Sequence, residues 1–169
     1  MNRRKLETLL LTLESTPALL AQAARTCPAN EIARRPTAGG FSLVENVWHL
    51  ADLEREGYGV RIRRLLTEDD PTLSNFDGDR VARERGYQSR SLAEGLAAFT
   101  QARRRNVERL RVVPPAAWKR AGNQESAGRV SLADVPRMMA DHDRSHVEEI
   151  RALLSGESFE APRPTSAVA

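Results

Sequence analysis

The three histidines of the chain, His49, His142 and His146, could together bind one metal ion. His142 and His146 are four residues apart, and on a helix this spacing puts both imidazoles on one face, within reach of the same ion. Met139 and Leu153 follow the same helical rhythm, so this face is expected to point into the core. A core-facing histidine is either a metal ligand or a residue bonded to a carbonyl or carboxylate, and the pair alone leaves both interpretations open.

His49 is the third candidate ligand. It follows Trp48 but lies on a helix flank that it shares with acidic residues, so the periodicity alone would allow it to be solvated. A ligand from a facing helix would complete a set of three nitrogen ligands, which is typical of catalytic sites that keep one position open for water or substrate. An ion bound in this way could lower the pKa of a bound water or thiol towards neutrality.

Two glutamates lie one helical turn from a candidate ligand. Glu45 precedes His49 and could orient its imidazole or act as a base, or it could simply cap the helix that begins at Ser42. Glu149 follows His146, where a carboxylate would hold the tautomer of a ligand in place. A solvated glutamate is the alternative for Glu149.

Two further charged residues are candidates for the site. Asp143 directly follows His142 and is either a residue that supports the ligands or a surface acid. Arg103 falls between Phe99 and Val107 on the apolar stripe of its predicted helix, so its guanidinium should be buried. A buried guanidinium requires a carboxylate from the bundle or an anionic substrate. Arg103 is therefore a candidate for an ion pair and also for substrate binding.

The composition is that of one globular protein. The chain has 169 residues, of which 40% are hydrophobic and 29% charged, enough for a single core. The net charge of +3 comes from acidic and basic residues that are interspersed, whereas nucleic-acid binding requires basic residues gathered on one face. Cys27 is the single cysteine, which favours a cytoplasmic location. No segment reaches the ~18 uninterrupted apolar residues of a membrane span, so no membrane association is expected.

Helical periodicity predicts an all-α fold, a four-helix bundle with a long crossover connection. Three of the helices are expected to begin at a serine followed three residues later by an acid, namely at Ser42, Ser91 and Ser131. The predicted helices cover residues 3–26, 42–67, 91–112 and 131–155. Pro17 is expected to kink or restart the first helix, because an interior proline removes a backbone donor.

Two long connections join the predicted helices. Residues 68–90 are too many for a tight turn and should cross the end of the bundle, and residues 114–129 form a second extended connection anchored by Trp118. We therefore expect residues 1–155 to form a single domain and residues 156–169 to form a flexible tail.

Three segments of the chain resemble the DinB/YfiT-like superfamily. They are Arg35–Asp52, Leu66–Pro71 and His142–His146. The resemblance covers about residues 15 to 154 and implies a four-helix bundle that is usually a dimer. It also implies that the three histidines bind one divalent ion, nickel or zinc in the first place and manganese or iron as alternatives.

Studied members of this superfamily include metal-dependent thiol S-transferases and related isomerases, so the resemblance implies an enzyme that acts on a small molecule. We expect the ion to activate a low-molecular-weight thiol for transfer to a small electrophile, or water for its hydrolysis. The alternative is a non-catalytic, metal-binding bundle that serves a stress response. A DNA-binding role is suggested only by the family's name, and the interspersed charges argue against it.

Overall fold

A computed structural model describes residues 3–36 and 39–155. The tail expected at 156–169 lies outside the described residues. The helices are α1 (Arg3–Thr26), α2 (Leu43–Asp52), α3 (Gly59–Thr67), α4 (Gly78–Arg85), α5 (Leu92–Arg111) and α6 (Val135–Ser155). A π-helical segment (Leu53–Tyr58) joins α2 to α3. The strands are β1 (Thr72–Leu73), β2 (Ala121–Gln124) and β3 (Gly128–Ser131).

Four long helical segments form the bundle: α1, the continuous run from α2 to α3, α5 and α6. In this bundle α2 packs on α5, and α1 packs on both α5 and α6. The predicted helices at 3–26, 42–67 and 91–112 are confirmed to within one residue at each end. Helix α1 runs unbroken through Pro17, so the restart that we considered there does not occur. Within the described residues, none of the helices is long and apolar enough to span a membrane.

Two of the predicted helix starts are confirmed by the bonds that stabilise them. The Glu45 carboxylate accepts from the backbone N–H of Ser42 at 3.0 Å and from its hydroxyl at 2.7 Å. At the start of α5, the Ser91 hydroxyl oxygen accepts from the N–H of Glu94 at 3.3 Å. Both contacts involve backbone donors that a helix cannot satisfy internally, which is why the sequence pattern predicts these starts well.

The predicted start of the last helix is wrong, because α6 begins at Val135 and not at Ser131. Ser131 instead ends β3, where it pairs with Ala121. Its N–H and hydroxyl both donate to the Asp134 carboxylate, at 3.0 and 2.6 Å, and this closes a turn ahead of the helix. The same serine and acid pattern serves turns as well as helix starts, since both leave backbone donors to satisfy.

The all-α prediction is only an approximation, because the two long connections meet in a small sheet. Strand β1 from the first connection pairs in parallel with β2 from the second, and β2 pairs antiparallel with β3. Trp118 packs against the core beside this sheet, as predicted for an anchor of the connection. The first connection also contains helix α4, so it is more ordered than a simple crossover.

A layer of polar side chains crosses the bundle between two hydrophobic clusters. Along α5, Arg103 lies between Phe99 of one cluster and Val107 of the other. Thr16 on α1 and Asp143 on α6 occupy corresponding places on their helices, and the Thr16 hydroxyl donates to Asp143 Oδ2 at 2.7 Å. These side chains are almost fully buried, so each must find its partners inside the protein.

The guanidinium of Arg103 is the centre of this layer. Its Nη1 and Nη2 donate to the two carboxylate oxygens of Asp143 at 2.5 and 2.9 Å, and Nη2 also donates to Glu54 Oε2 at 2.9 Å. Nη1 further donates at 3.1 Å to the carbonyl of Leu13, which lacks its usual helical donor because residue 17 is proline. Arg103 therefore connects α5 to the other three segments of the bundle.

The π-helical segment brings Glu54 to this cluster. The N–H of Gly59 donates to the carbonyl of Glu54, five residues earlier, which is the hydrogen bond of a π turn. Asn106 on α5 donates to the same carbonyl at 2.8 Å and to Glu54 Oε1 at 3.0 Å. A Cβ atom on Gly59 would lie 3.0 Å from the Glu54 carbonyl oxygen, so glycine allows this close approach.

Replacement of Arg103 with methionine should destabilise the protein by about 3 to 5 kcal/mol, because Glu54 and Asp143 would then be buried carboxylates without a counter-charge. Urea unfolding followed by circular dichroism measures this change. The control is Arg104→Met, at a residue that is exposed on the same helix, with an expected change within about 0.5 kcal/mol. Equal unfolding midpoints for the two variants would contradict the proposed role of the cluster.

Candidate metal centre

The ring nitrogens of the three histidines converge between α2 and α6. Nε2 of His142 lies 3.4 Å from Nε2 of His49 and 3.3 Å from Nε2 of His146, and all three residues offer a ligand atom within 4.8 Å of the others. A tetrahedral ion with metal–nitrogen bonds of about 2.0 to 2.1 Å would separate its ligands by about 3.3 to 3.4 Å. The geometry therefore fits one divalent ion held by three imidazoles.

The positions of the histidines follow from the bundle. His142 and His146 are one turn apart on α6, and α6 packs against α2, which carries His49. His49 is 8% exposed, whereas His142 and His146 are half-buried. The cluster therefore lies at the edge of the core.

The environment keeps the imidazoles of His49 and His142 neutral. Burial, with a further contribution from His146, lowers the pKa of His49 to about 3. Burial also lowers the pKa of His142 well below its ordinary value, and the two neighbouring histidines act in the same direction. Only a neutral imidazole can bind a metal, so protons compete weakly for these two ligands at neutral pH.

Asn46 determines which nitrogen of His146 is free to bind a metal. Its amide nitrogen donates to the carbonyls of Phe41 and Ser42, both at 3.2 Å, so its oxygen must face His146. That oxygen lies 2.6 Å from Nδ1 of His146, and Nδ1 therefore carries the proton. The lone pair is left on Nε2, which is the nitrogen that points at the other histidines.

Aromatic side chains hold the other two imidazoles. Phe41 and Phe76 pack on the ring of His49, with centroids 5.4 and 5.9 Å away, and Tyr58 meets His142 edge-on at 6.2 Å. The Nδ1 atoms of His49 and His142 are buried, and neither has a hydrogen-bond partner among the described residues. These two rings are therefore oriented by packing, whereas His146 is oriented by a hydrogen bond.

Gly78 completes the packing around His49. A Cβ atom at this position would lie 2.5 Å from Cε1 of the imidazole, so any other residue would push the ring away. Gly78 begins α4, which belongs to the long connection between the bundle helices. The crossover therefore takes part in building the site.

Glu149 is the predicted carboxylate that lies at the metal centre. Its Oε2 is 3.4 Å from Nδ1 of His146, and its Oε1 accepts from the N–H of Phe41 at 3.1 Å. A Cβ atom on Gly40 would lie 2.8 Å from this carboxylate, so the loop before α2 depends on glycine there. Glu149 thus connects this loop to the histidine pair on α6.

Glu45 makes the contacts of a helix-capping residue. Besides Ser42, its partner is the half-exposed Arg35, whose guanidinium donates to both carboxylate oxygens. Burial acts to raise the pKa of Glu45, but these hydrogen bonds outweigh it and the pKa is lowered. The contacts support the capping interpretation, and a role in orienting His49 stays a prediction.

Asp143 and Arg103 lie together in the polar layer of the core. Asp143 is 4% exposed and so is not the surface acid that we considered. Its carboxylate binds Arg103 and Thr16, and a supporting role for the adjacent ligand His142 stays a prediction. The carboxylate partners of Arg103 account for its burial, which leaves substrate binding by this residue as an untested prediction.

The sequence reasoning missed Asn46 and the aromatic residues around His49. Asn46 precedes His49 by three residues, so helical spacing alone would have placed the two side by side on one face of α2. Phe76 and Gly78 come from the connection at 68–90, and no local pattern indicates that this segment returns to the histidines.

Comparisons with known proteins agree with this architecture. A family model described as the DinB superfamily matches residues 12–150. YfiT from Bacillus subtilis, a solved structure described as a probable metal-dependent hydrolase with an unusual four-helix bundle topology, matches with a TM-score of 0.85 at 22% identity. The match covers 94% of this chain and 91% of YfiT, and it confirms the bundle fold.

Two Bacillus proteins named as inferred metal-dependent hydrolases are similar in sequence. The protein from Bacillus mycoides (strain KBAB4) is 24% identical over 141 residues, which are 83% of this chain and 80% of that protein. The protein from Bacillus licheniformis is 33% identical over 76 residues, which are 45% of this chain and 43% of that protein.

Replacement of Asn46 with alanine should weaken metal binding about 10- to 100-fold, because the tautomer and orientation of His146 would no longer be fixed. Competition with a chromophoric chelator measures the change. The matched control is Glu148→Gln, at an exposed residue of α6, which should keep the affinity of the wild type. If Asn46→Ala bound the metal as tightly as this control, Asn46 would not orient the ligand.

Proposed function

The chain belongs to the DinB superfamily, and from this premise we propose that it is a metal-dependent hydrolase that acts on a small molecule. The observation that carries the proposal is the convergence of three imidazoles, with two Nε2–Nε2 separations of 3.4 and 3.3 Å that suit a tetrahedral ion and all three ligand atoms within 4.8 Å of one another. Hydrolase activity is the activity inferred by name for both Bacillus relatives and for YfiT.

The ligand set is suited to catalysis because it leaves the charge of the ion intact. Three neutral imidazoles neutralise none of the ion's positive charge and leave one tetrahedral position open. A divalent ion bound there would act as a Lewis acid and would bring the pKa of a water ligand towards neutrality. Asn46 holds His146 in the ligating tautomer, and the Glu149 carboxylate lies beside the same nitrogen, Nδ1.

The surroundings of the centre favour a small substrate with an apolar part. Phe41 and Phe76 pack on His49, and Tyr58 packs on His142, so aromatic rings flank the ligands. Apolar walls around a few fixed polar groups are typical of small-molecule sites. The half-burial of the two α6 histidines allows such a molecule to reach the centre.

Thiol transfer is the second candidate, since the same open position could hold a low-molecular-weight thiol as its thiolate. A cation stabilises the thiolate, so the nucleophile would be available at neutral pH without a catalytic cysteine. We propose zinc or nickel as the metal, because imidazole ligands suit both ions. Iron and manganese are the alternatives.

We expect purified protein to bind about one divalent ion per chain and His142→Ala to lose it, because a three-nitrogen site rarely survives the loss of one ligand. Elemental analysis of untagged protein measures the metal content. With zinc, nickel or manganese, the wild type should turn over members of a panel of activated esters and amides, and His142→Ala should fall to the background rate. A second panel pairs thiols with chloro and epoxide electrophiles.

Glu148→Gln is the matched control, because this residue is exposed on the same helix between the site residues. It should retain both the metal and the activity. Unchanged metal content in His142→Ala would place the ion elsewhere. Metal binding without turnover in either panel would favour a non-catalytic metal-binding bundle, and turnover confined to the second panel would favour thiol transfer.

We also propose that the chain forms a homodimer, as the resemblance to the superfamily implies. Leu11 and Leu19 on α1 and Leu154 on α6 are 57%, 40% and 38% exposed, so apolar surface is available on these helices. Sedimentation velocity at micromolar concentration should show a dimer. A monomer over the whole concentration range would rule out this assembly.

A further inference from the structure

Arg61 on α3 is a buried arginine whose charge is not balanced. It is 4% exposed, and no carboxylate among residues 3–36 and 39–155 forms an ion pair with it. Nη2 donates to the carbonyl of Ser74 at a long 3.4 Å, and Nε is buried without a partner. The guanidinium lies 5.4 Å from the centroid of the Tyr58 ring.

The comparison with Arg103 shows how unusual this is within the same core. Arg103 is buried to a similar degree and its Nε also lacks a partner, but Glu54 and Asp143 bind its two Nη atoms with several short hydrogen bonds. A buried charge without such partners costs several kcal/mol. Burial lowers the pKa of Arg61, which is the sign of this cost. Arg61 is therefore not explained by the stability of the fold.

Arg61 lies next to the metal centre. The Tyr58 ring that contacts its guanidinium also meets His142 edge-on. On the other side, Ser74 accepts from Arg61, and Phe76, two residues further along the chain, packs on His49. A molecule bound at the histidines and extending along these aromatic rings would therefore run towards the guanidinium.

We propose that Arg61 binds an anionic group of the substrate, a carboxylate or a phosphate, while the bond to be cleaved lies at the three histidines. This inference rests on the proposed hydrolase function and adds the class of substrate. Nε and an adjacent Nη of a guanidinium present two parallel donors that match two oxygens of such a group. The anion would supply the counter-charge that no described residue provides.

The binding test uses the full, zinc-loaded chain with benzoate and inorganic phosphate as probes and benzamide as the neutral control. Calorimetry should show binding of at least one of the two anions, and Arg61→Met should weaken it about tenfold or more. Arg61→Lys keeps the charge but not the paired donors and should lie between the two. Arg63→Met, at an exposed residue of the same helix, should bind like the wild type.

Repeating the titrations in excess chelator separates an anion held by Arg61 from one held by the metal. Weaker anion binding by Arg61→Met than by the wild type, both with zinc and with chelator, supports the proposal. Equal affinity of the wild type and Arg61→Met for both anions overturns it, whatever the enzyme hydrolyses.

The melting temperatures test the same idea without a ligand. Arg61→Met removes an unbalanced buried charge, so it should melt at or above the temperature of the wild type. A drop of more than about 4 °C, which is about 1 to 2 kcal/mol for a chain of this size, together with unchanged anion binding, would give Arg61 a structural role and overturn the proposal.

Kinetics distinguishes this inference from the proposed function. The substrates are two esters that share a leaving group, one with a free carboxylate and one without a charge. The ester with the carboxylate should have a kcat/KM about tenfold or more above that of the neutral ester, and Arg61→Met should abolish this preference. Hydrolysis of both esters at equal rates by both proteins would overturn the inference and leave the hydrolase in place. Anion binding that depends on Arg61, without hydrolysis, would support the anion site and contradict the hydrolase.

Discussion

The ion cluster around Arg103 fixes how the helices of the bundle are placed against one another. One guanidinium reaches the Leu13 carbonyl on α1, Glu54 in the π-helical segment and Asp143 on α6. A sliding of any helix by one turn would break these bonds and leave a buried charge unpaired, at a cost of several kcal/mol. Apolar side chains alone would tolerate such a shift more readily, because their contacts are not directional. The cluster therefore selects one register from several that the apolar residues would permit.

The metal centre depends on that register. Asp143 is held by Arg103, and the next residue towards the N-terminus, His142, is thereby placed opposite α2. The second ligand of α6 follows one turn later through the geometry of the helix alone. The facing ligand, His49, is carried by α2. Gly78 of the crossover packs against its imidazole, and any side chain at this position would displace the ring. A site that needs its nitrogen atoms placed within a few tenths of an ångström is in this way supported by a buried ionic contact at the residue next to one of its ligands.

The parts of the fold that could be predicted are those with a local cause. Apolar periodicity and the capping bonds of Ser42 and Ser91 act within a few residues, and they predict the first three bundle helices well. The predicted start of α6 was wrong because Ser131 and Asp134 make a local contact that occurs in turns as well as at helix starts. The sheet and the π turn depend on partners that are distant in the sequence, such as Asn106 for the Glu54 carbonyl. The spacing of the histidine pair on α6 predicts that both could bind one ion. The contact of Asn46 with His146 depends on the packing of α2 against α6, which the sequence does not indicate.

The two buried arginines show how the same side chain can serve the fold or the ligand. Arg103 forms ion pairs with Glu54 and Asp143, so its charge stabilises the packing of the helices. Arg61 is buried to a similar degree beside the metal centre, and within the described part of the chain its guanidinium meets only a carbonyl and an aromatic ring. A carboxylate from the chain at this point would stabilise the free protein, but it would also occupy the donors that an anionic ligand needs. An unbalanced charge beside three imidazole ligands thus favours a substrate that carries the missing negative charge, and the same bond would orient that substrate towards the ion.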